Sequence, residues 1–273
     1  MRGEFLDLSN ARIYYYAAGT RGAGEPIVFI HGFPSSSHLW SNVVPLVPTG
    51  HRVVVLDLLG HGRSDRPVNR GLGIADHAER TVELFDALGI DRACIVGHDI
   101  GGGIAQVMSV RYPGRVSRLC LVDSVAFDAW PRRIVKLTRA LLPLTRAIPA
   151  TVLVAAMRAE LLGGYVDRER GAHSIDLYLR PFASSEGRDV LVAHLKRLRS
   201  RETGVIADEV RAIVAPTSIV WGARDPFVPV SLAERLHAAI SGSTVDVISG
   251  ASHFLPEEAP AGLADILAAL MKR

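Results

Sequence analysis

Six β-rich runs recur along the chain, at Ile27 to Ile30, Val53 to Leu56, Ala93 to Val96, Val116 to Val122, Ser218 to Trp221 and Thr244 to Ile248. Short apolar runs bounded by turn residues predict strands buried on both faces, as in a parallel sheet covered by helices. Helical periodicity fills several of the gaps, with candidates at Ala75 to Leu88, Ile104 to Tyr112 and Pro256 to Leu270. Two earlier segments, near Glu4 to Leu8 and Arg12 to Ala18, predict an antiparallel edge. The alternation predicts an α/β class fold with helices on both sides of the sheet. It breaks after Ser124, where Ile134 to Leu142, Ala150 to Leu162, His173 to Leu179 and Arg188 to Arg199 read as helices with no strand between them. The organisation expected is a core of residues 1–123 and 207–273 with a helical insertion at 124–206.

Composition supports this picture at a few points. With 273 residues, 48% of them hydrophobic, the chain can bury the core of one domain carrying a sizeable insertion. Met1 to Asn10 lacks a basic segment followed by an apolar one, and the apolar stretch Ile148 to Met157 is too short to span a bilayer. A soluble, cytoplasmic protein with no membrane partner is expected. Cys94 and Cys120 fall within predicted strands, where they should pack as small apolar residues. The net charge of +3 hides a basic excess in the insertion. A solvated helix face explains that excess better than nucleic-acid binding, because no nucleic-acid motif accompanies it. A weaker alternative is attraction of anionic substrates towards the cleft.

Candidate chemistry centres on Gly97-His98-Asp99-Ile100-Gly101, which joins a predicted strand to a predicted helix. A sharp strand-to-helix turn pushes its central side chain outward and needs small flanking residues, which Gly97 and Gly101 provide. A carboxylate there is already anionic at neutral pH and can attack an alkyl carbon directly, unlike a serine, which needs a base. Two later loops complete a triad order of nucleophile, acid and histidine. Trp221-Gly222-Ala223-Arg224-Asp225 follows one predicted strand, and Ser252-His253-Phe254 follows the next. Asp123, at the end of an earlier strand, competes with Asp225 as the acid.

Five motifs carry a resemblance: His31-Gly32-Phe33-Pro34, Asp57-Leu58-Leu59-Gly60-His61-Gly62-Arg63-Ser64-Asp65, Gly97 to Gly102, Trp221 to Asp225, and His253-Phe254-Leu255-Pro256-Glu257-Glu258. From about residue 26 onward the chain resembles the α/β-hydrolase superfamily, in the epoxide hydrolase and haloalkane dehalogenase branch. The resemblance implies an α/β-hydrolase fold with a mostly parallel central sheet and an inserted helical cap. It also implies Asp99 as nucleophile, His253 as the base that activates water, Asp225 as its orienting acid, and the backbone N–H groups of Phe33 and Ile100 as oxyanion donors. His31 and His98 are expected to stabilise loops. No cofactor or metal is called for.

The leaving group separates the candidate reactions. Haloalkane dehalogenases usually carry tryptophan after the nucleophile and often asparagine after His-Gly, where this chain has Ile100 and Phe33. Fluoroacetate dehalogenases carry arginines where it has Ile100 and Gly103. Epoxide hydrolases need cap tyrosines to protonate the opening oxygen, and Tyr178 and Tyr165 are the cap tyrosines, with Trp130 and His173 as alternative donors. Epoxide hydrolysis is the leading expectation and dehalogenation the next. A non-catalytic binding protein on a hydrolase scaffold is a third reading, opposed by the retained Asp225 and His253. The partners expected are a small electrophilic substrate and water, with a homodimer left open.

Overall fold

A computed structural model describes residues 3–19, 24–68, 70–128, 130 and 148–273. Eight strands form one sheet: β1 (Glu4–Leu8), β2 (Ala11–Ala18), β3 (Ile27–Ile30), β4 (Val53–Leu56), β5 (Ala93–His98), β6 (Val116–Val122), β7 (Thr217–Gly222) and β8 (Thr244–Ile248). Their order across the sheet is β1-β2-β4-β3-β5-β6-β7-β8. Strand β2 pairs antiparallel with both β1 and β4, and every later pairing is parallel. The predicted antiparallel edge and parallel centre are therefore both present.

The period-two geometry of strands divides the core into two layers. Val28, Ile30, Val54, Leu56, Ile95, Leu119 and Leu121 face one layer, packed against helices α1 (Ile74–Leu88), α2 (Ile100–Arg111) and α7 (Ser231–Ala239). Their neighbours Ile27, Phe29, Val53, Val55, Val96 and Val122 face the other, which also receives α9 (Pro260–Leu270). Cys94 and Cys120 are free thiols buried in this second layer. Both faces of the central strands are covered, which is why their sequences read as apolar runs without alternation.

Between β6 and β7 lie α3 (Ala150–Leu162), α4 (Arg168–Leu179), α5 (Ser185–Arg197) and the short α6 (Arg201–Gly204). The expected helix at 134–142 lies outside the described residues. Helix α4 begins five residues before the predicted His173, because Asp167 caps it by accepting from Glu169 N at 3.1 Å and Arg170 N at 3.2 Å. The predicted helix from Pro256 to Leu270 is two helices, α8 (Leu255–Glu258) and α9. They part at Ala259 (φ −132°, ψ 51°), since the proline at 260 disfavours helical backbone in the residue before it. No helix among the described residues is long and apolar enough to cross a membrane.

Candidate active site

Strand β3 is flanked by β4 on one side and β5 on the other, so the chain direction of build-up reverses there. In open α/β sheets a crevice forms at such a point, beyond the carboxyl ends of the strands. The loops after β3 and β5 carry Phe33 and Asp99, and those after β7 and β8 carry Asp225 and His253.

Asp99 sits between β5 and α2 with φ 52° and ψ −119°, a conformation that side chains with a Cβ rarely adopt. Close packing around it enforces the turn. A Cβ on Gly97 would come within 2.3 Å of Gly101 O, and one on Gly101 within 2.3 Å of Ile30 O. The strained elbow thus depends on both glycines. Asp99 Oδ2 accepts the Phe33 N–H at 2.9 Å, and the Ile100 N–H also favours the charged carboxylate. Burial pushes the Asp99 carboxyl above its usual range, a rise opposed by His253 and by these two N–H groups. The N-terminus of α2 adds a favourable field.

His253 is buried, and its Nδ1 lies 2.9 Å from Asp225 Oδ2, with only 1% of the Asp225 side chain exposed. The other Asp225 oxygen accepts Phe227 N at 2.7 Å and Val228 N at 3.0 Å. This arrangement makes Nδ1 the donor and leaves Nε2 as the basic nitrogen. Burial lowers the affinity of the imidazole for a proton, but Asp225 and Asp99 outweigh it and hold His253 above the ordinary histidine value. His98 Nε2 lies 2.8 Å from His253 O, and His31 bridges Leu58 N and Gly32 O at 2.9 and 2.8 Å. Both histidines therefore tie loops together.

Asp123 is arranged differently. It is fully buried, its Oδ1 accepts Gly222 N at 2.8 Å, and its Oδ2 has no hydrogen-bond partner among the described residues. Burial, and secondarily the charge of Asp225, push its carboxyl well above the usual range. The geometry pairs His253 with Asp225, and Asp123 beside them is bonded to Gly222 N instead.

Asp99 and His253 line a cavity of roughly 130 Å³ with apolar walls from Phe33, Trp130, Leu161 and Phe227. Ile100 lines it as well. The tyrosines expected to assist a leaving group are both held by one acidic residue. Tyr165 and Tyr178 are buried outside the cavity lining, and both hydroxyls donate to Glu257 Oε1, the first at 3.0 Å. Trp130 does line the cavity, but its indole N–H donates to Thr203 Oγ1 at 2.7 Å. His173 is exposed, and its ring packs 6.4 Å from that of His38, outside the cavity lining.

Several residues were not singled out from the sequence. Met157, Leu161, Leu195 and Leu198 bring the inserted helices over Asp99, and Glu160 adds a carboxylate to the lining. Glu257 lies in the His253 motif, and as a buried acid it demands hydroxyl or N–H partners, which the two tyrosines supply.

The comparisons agree with this architecture. The α/β hydrolase fold family profile matches residues 25–260. The chain is 29% identical over 280 residues to "Haloalkane dehalogenase 2" of Mycobacterium tuberculosis, covering 99% of this chain and 94% of that protein. It is 26% identical over 271 residues to "Epoxide hydrolase 4" of Mus musculus, covering 92% and 74% of the two chains. Among solved structures, an α/β hydrolase fold protein from Burkholderia ambifaria superposes with a TM-score of 0.84 at 25% identity, covering 100% of each chain. The unliganded epoxide hydrolase CorEH gives a TM-score of 0.84 at 21% identity over 99% and 98% of the two chains, a likeness of fold. With the family profile spanning most of its length and related enzymes on both sides of the epoxide and halide divide, the chain belongs to the α/β-hydrolase family and is an enzyme.

Proposed function

We propose that this hydrolase cleaves carbon–heteroatom bonds of neutral, apolar electrophiles through an alkyl ester on Asp99. The observation that carries the reading is the pairing of an elbow carboxylate, held by Phe33 N at 2.9 Å, with a His253–Asp225 dyad on the same cavity. Asp99 Oδ attacks an sp3 carbon, the bond to the leaving group breaks with its electron pair, and an ester forms. His253 Nε2 then removes a proton from water as the water oxygen attacks the ester carbonyl carbon. The Phe33 and Ile100 N–H groups are suited to hold the resulting oxyanion, a contribution on the order of 3 kcal/mol per donor. Collapse breaks the ester C–O bond, the departing alkoxide takes the proton held by His253 and leaves as the alcohol, and the regenerated Asp99 carboxyl gives its proton to solvent to restore the carboxylate.

The lining supports a choice of substrate. Its charged side chains among the described residues include the carboxylates Asp99 and Glu160 and no arginine or lysine, which disfavours haloacids and other anions. The two tyrosine hydroxyls and the Trp130 N–H are committed elsewhere. A leaving group that departs with little assistance suits such a cavity, so primary alkyl bromides and iodides are the first substrate class. Epoxide hydrolysis, which the motifs favour, is the second reading, confined to epoxides activated at a benzylic or allylic carbon. The inserted helices act as the cap proposed for residues 124–206.

A panel of 1-bromohexane, 1-chlorohexane, styrene oxide, 1,2-epoxyhexane and bromoacetate tests the choice by bromide or chloride release and by diol formation. Turnover should be fastest with 1-bromohexane, slower with styrene oxide, and slight with bromoacetate. Preferential turnover of 1,2-epoxyhexane would show that an acid does assist the leaving oxygen and would reverse the order of the two readings.

A further inference from the structure

Three consecutive residues between α3 and α4 are fastened one by one to the segment that carries His253. Gly164 O accepts Phe254 N at 3.3 Å, the Tyr165 hydroxyl donates to Glu257 Oε1 at 3.0 Å, and Val166 N donates to Glu258 Oε1 at 2.7 Å. The Tyr165 ring stacks on Phe254 with centroids 4.3 Å apart and planes 13° from parallel. Gly164 permits this approach, since a Cβ there would fall 2.5 Å from the Phe227 ring, which itself meets His253 edge to face at 5.0 Å.

Glu258 completes the connection. Its second oxygen, Oε2, accepts Ser252 N at 2.8 Å, so one carboxylate spans the inserted segment and the residue immediately before His253. Glu258 has no cationic side chain bonded to it among the described residues, and its half-buried carboxylate is occupied instead by these two backbone N–H groups. Further ties on the loop come from the core, with Ser252 Oγ donating to Arg224 O at 3.1 Å and His98 meeting His253 O.

We infer that Glu258 is a positioning residue that couples the seating of the inserted helices to the placement of His253, so that hydrolysis of the ester depends on it while formation of the ester does not. The inference rests on the alkyl-ester reading above. Ester formation needs Asp99 at the elbow with the Phe33 and Ile100 N–H groups, all of them on the core and none bonded to residues 164–166. Ester hydrolysis needs His253 Nε2 within hydrogen-bond reach of a water. Releasing Ser252 N and Val166 N together loosens the loop from both sides, and small displacements of a base are costly in rate.

Single-turnover reactions of Glu258→Ala and Glu258→Gln with 1-bromohexane separate the steps, because intact-protein mass spectrometry follows the adduct as it forms and decays. Glu258→Ala should be alkylated within about threefold of the unmodified rate and should hydrolyse its adduct roughly ten- to a hundredfold more slowly. Glu258→Gln should fall between the two, since an amide oxygen can replace only one of the two acceptors while its NH2 faces the other N–H. The amplitude of adduct formation counts the folded, competent molecules, so a partly unfolded variant still yields both rate constants. Decay at the unmodified rate in both variants would overturn the inference, as would a parallel loss in alkylation and hydrolysis. Absence of any adduct in these variants and in His253→Gln, with turnover retained by the unmodified protein, would instead overturn the alkyl-ester reading itself.

Discussion

Replacing Asp225 by asparagine removes one oxygen from a carboxylate whose two atoms do different work. Oδ2 faces His253 Nδ1 at 2.9 Å, while Oδ1 accepts Phe227 N and Val228 N at 2.7 and 3.0 Å. The amide introduced by Asp225→Asn can keep its oxygen on the two backbone donors only by turning its NH2 towards His253. That orientation forces Nδ1 to accept and puts the proton on Nε2, where a base is needed. The opposite orientation preserves the tautomer but sets the NH2 against two backbone N–H groups, leaving buried donors unpaired at about 1–3 kcal/mol each. The charge that stabilises the imidazolium is lost in either case. Asp123 is not placed to step in, because its Oδ1 is bonded to Gly222 N and burial pushes its carboxyl well above the usual range. Amidation of a triad acid lowers turnover by about four orders of magnitude, or roughly 5 kcal/mol of barrier. The loss should fall on adduct hydrolysis, with alkylation of Asp99 much less affected. Rapid-quench mass spectrometry of Asp225→Asn and Asp123→Asn measures both steps. Hydrolysis within about tenfold of the unmodified rate in Asp225→Asn, or a larger loss in Asp123→Asn, would refute the assignment.

Tyr178→Phe should lower bromide and epoxide reactions by similar factors and should destabilise the protein by about 1–2 kcal/mol, measured as a shift in denaturant midpoint, because its hydroxyl serves the buried Glu257 and not the leaving group. A selective collapse of epoxide opening would show that the hydroxyl reaches substrate. Hydrolysis of the adduct should be complete in rate above the raised pKa of His253 and fade as pH falls through it, since only the neutral imidazole can take a proton from water. Because alkylation neutralises Asp99, one of the charges that raise His253, the acid limb for decay of a preformed adduct should lie below the His253 titration seen by NMR in the free enzyme. Coincident limbs would argue against an ester on Asp99.

The central strands were legible because helices cover both faces, so β3, β4 and β5 read as apolar runs whatever their neighbours. The elbow was legible because its steric demand is local, falling on Gly97 and Gly101 within five residues. The direction of the tyrosines was not. Their acceptor lies 92 residues from Tyr165 and 79 from Tyr178, and nothing in the local pattern says which side of the inserted helices faces α8. The resemblance implies a role for the hydroxyls at the leaving group, while the packing of Phe254 against both rings and their bonds to Glu257 depend on contacts distant in sequence. The break between α8 and α9 was present in the sequence as the proline at 260, but apolar periodicity continued through it. The cavity walls were least legible, since Met157 and Leu195 look like any apolar helix positions until the helices are set over Asp99.

The most direct measurement is the intact mass of His253→Gln after exposure to 1-bromohexane, followed by peptide mapping. The variant should gain one hexyl group, located on Asp99, and hold it while the unmodified protein regenerates. In the unmodified protein, a single turnover in heavy-oxygen water should release hexanol carrying light oxygen from Asp99, with the heavy isotope entering the carboxylate. An unmodified mass for His253→Gln together with heavy oxygen in the first hexanol released would contradict nucleophilic attack by Asp99.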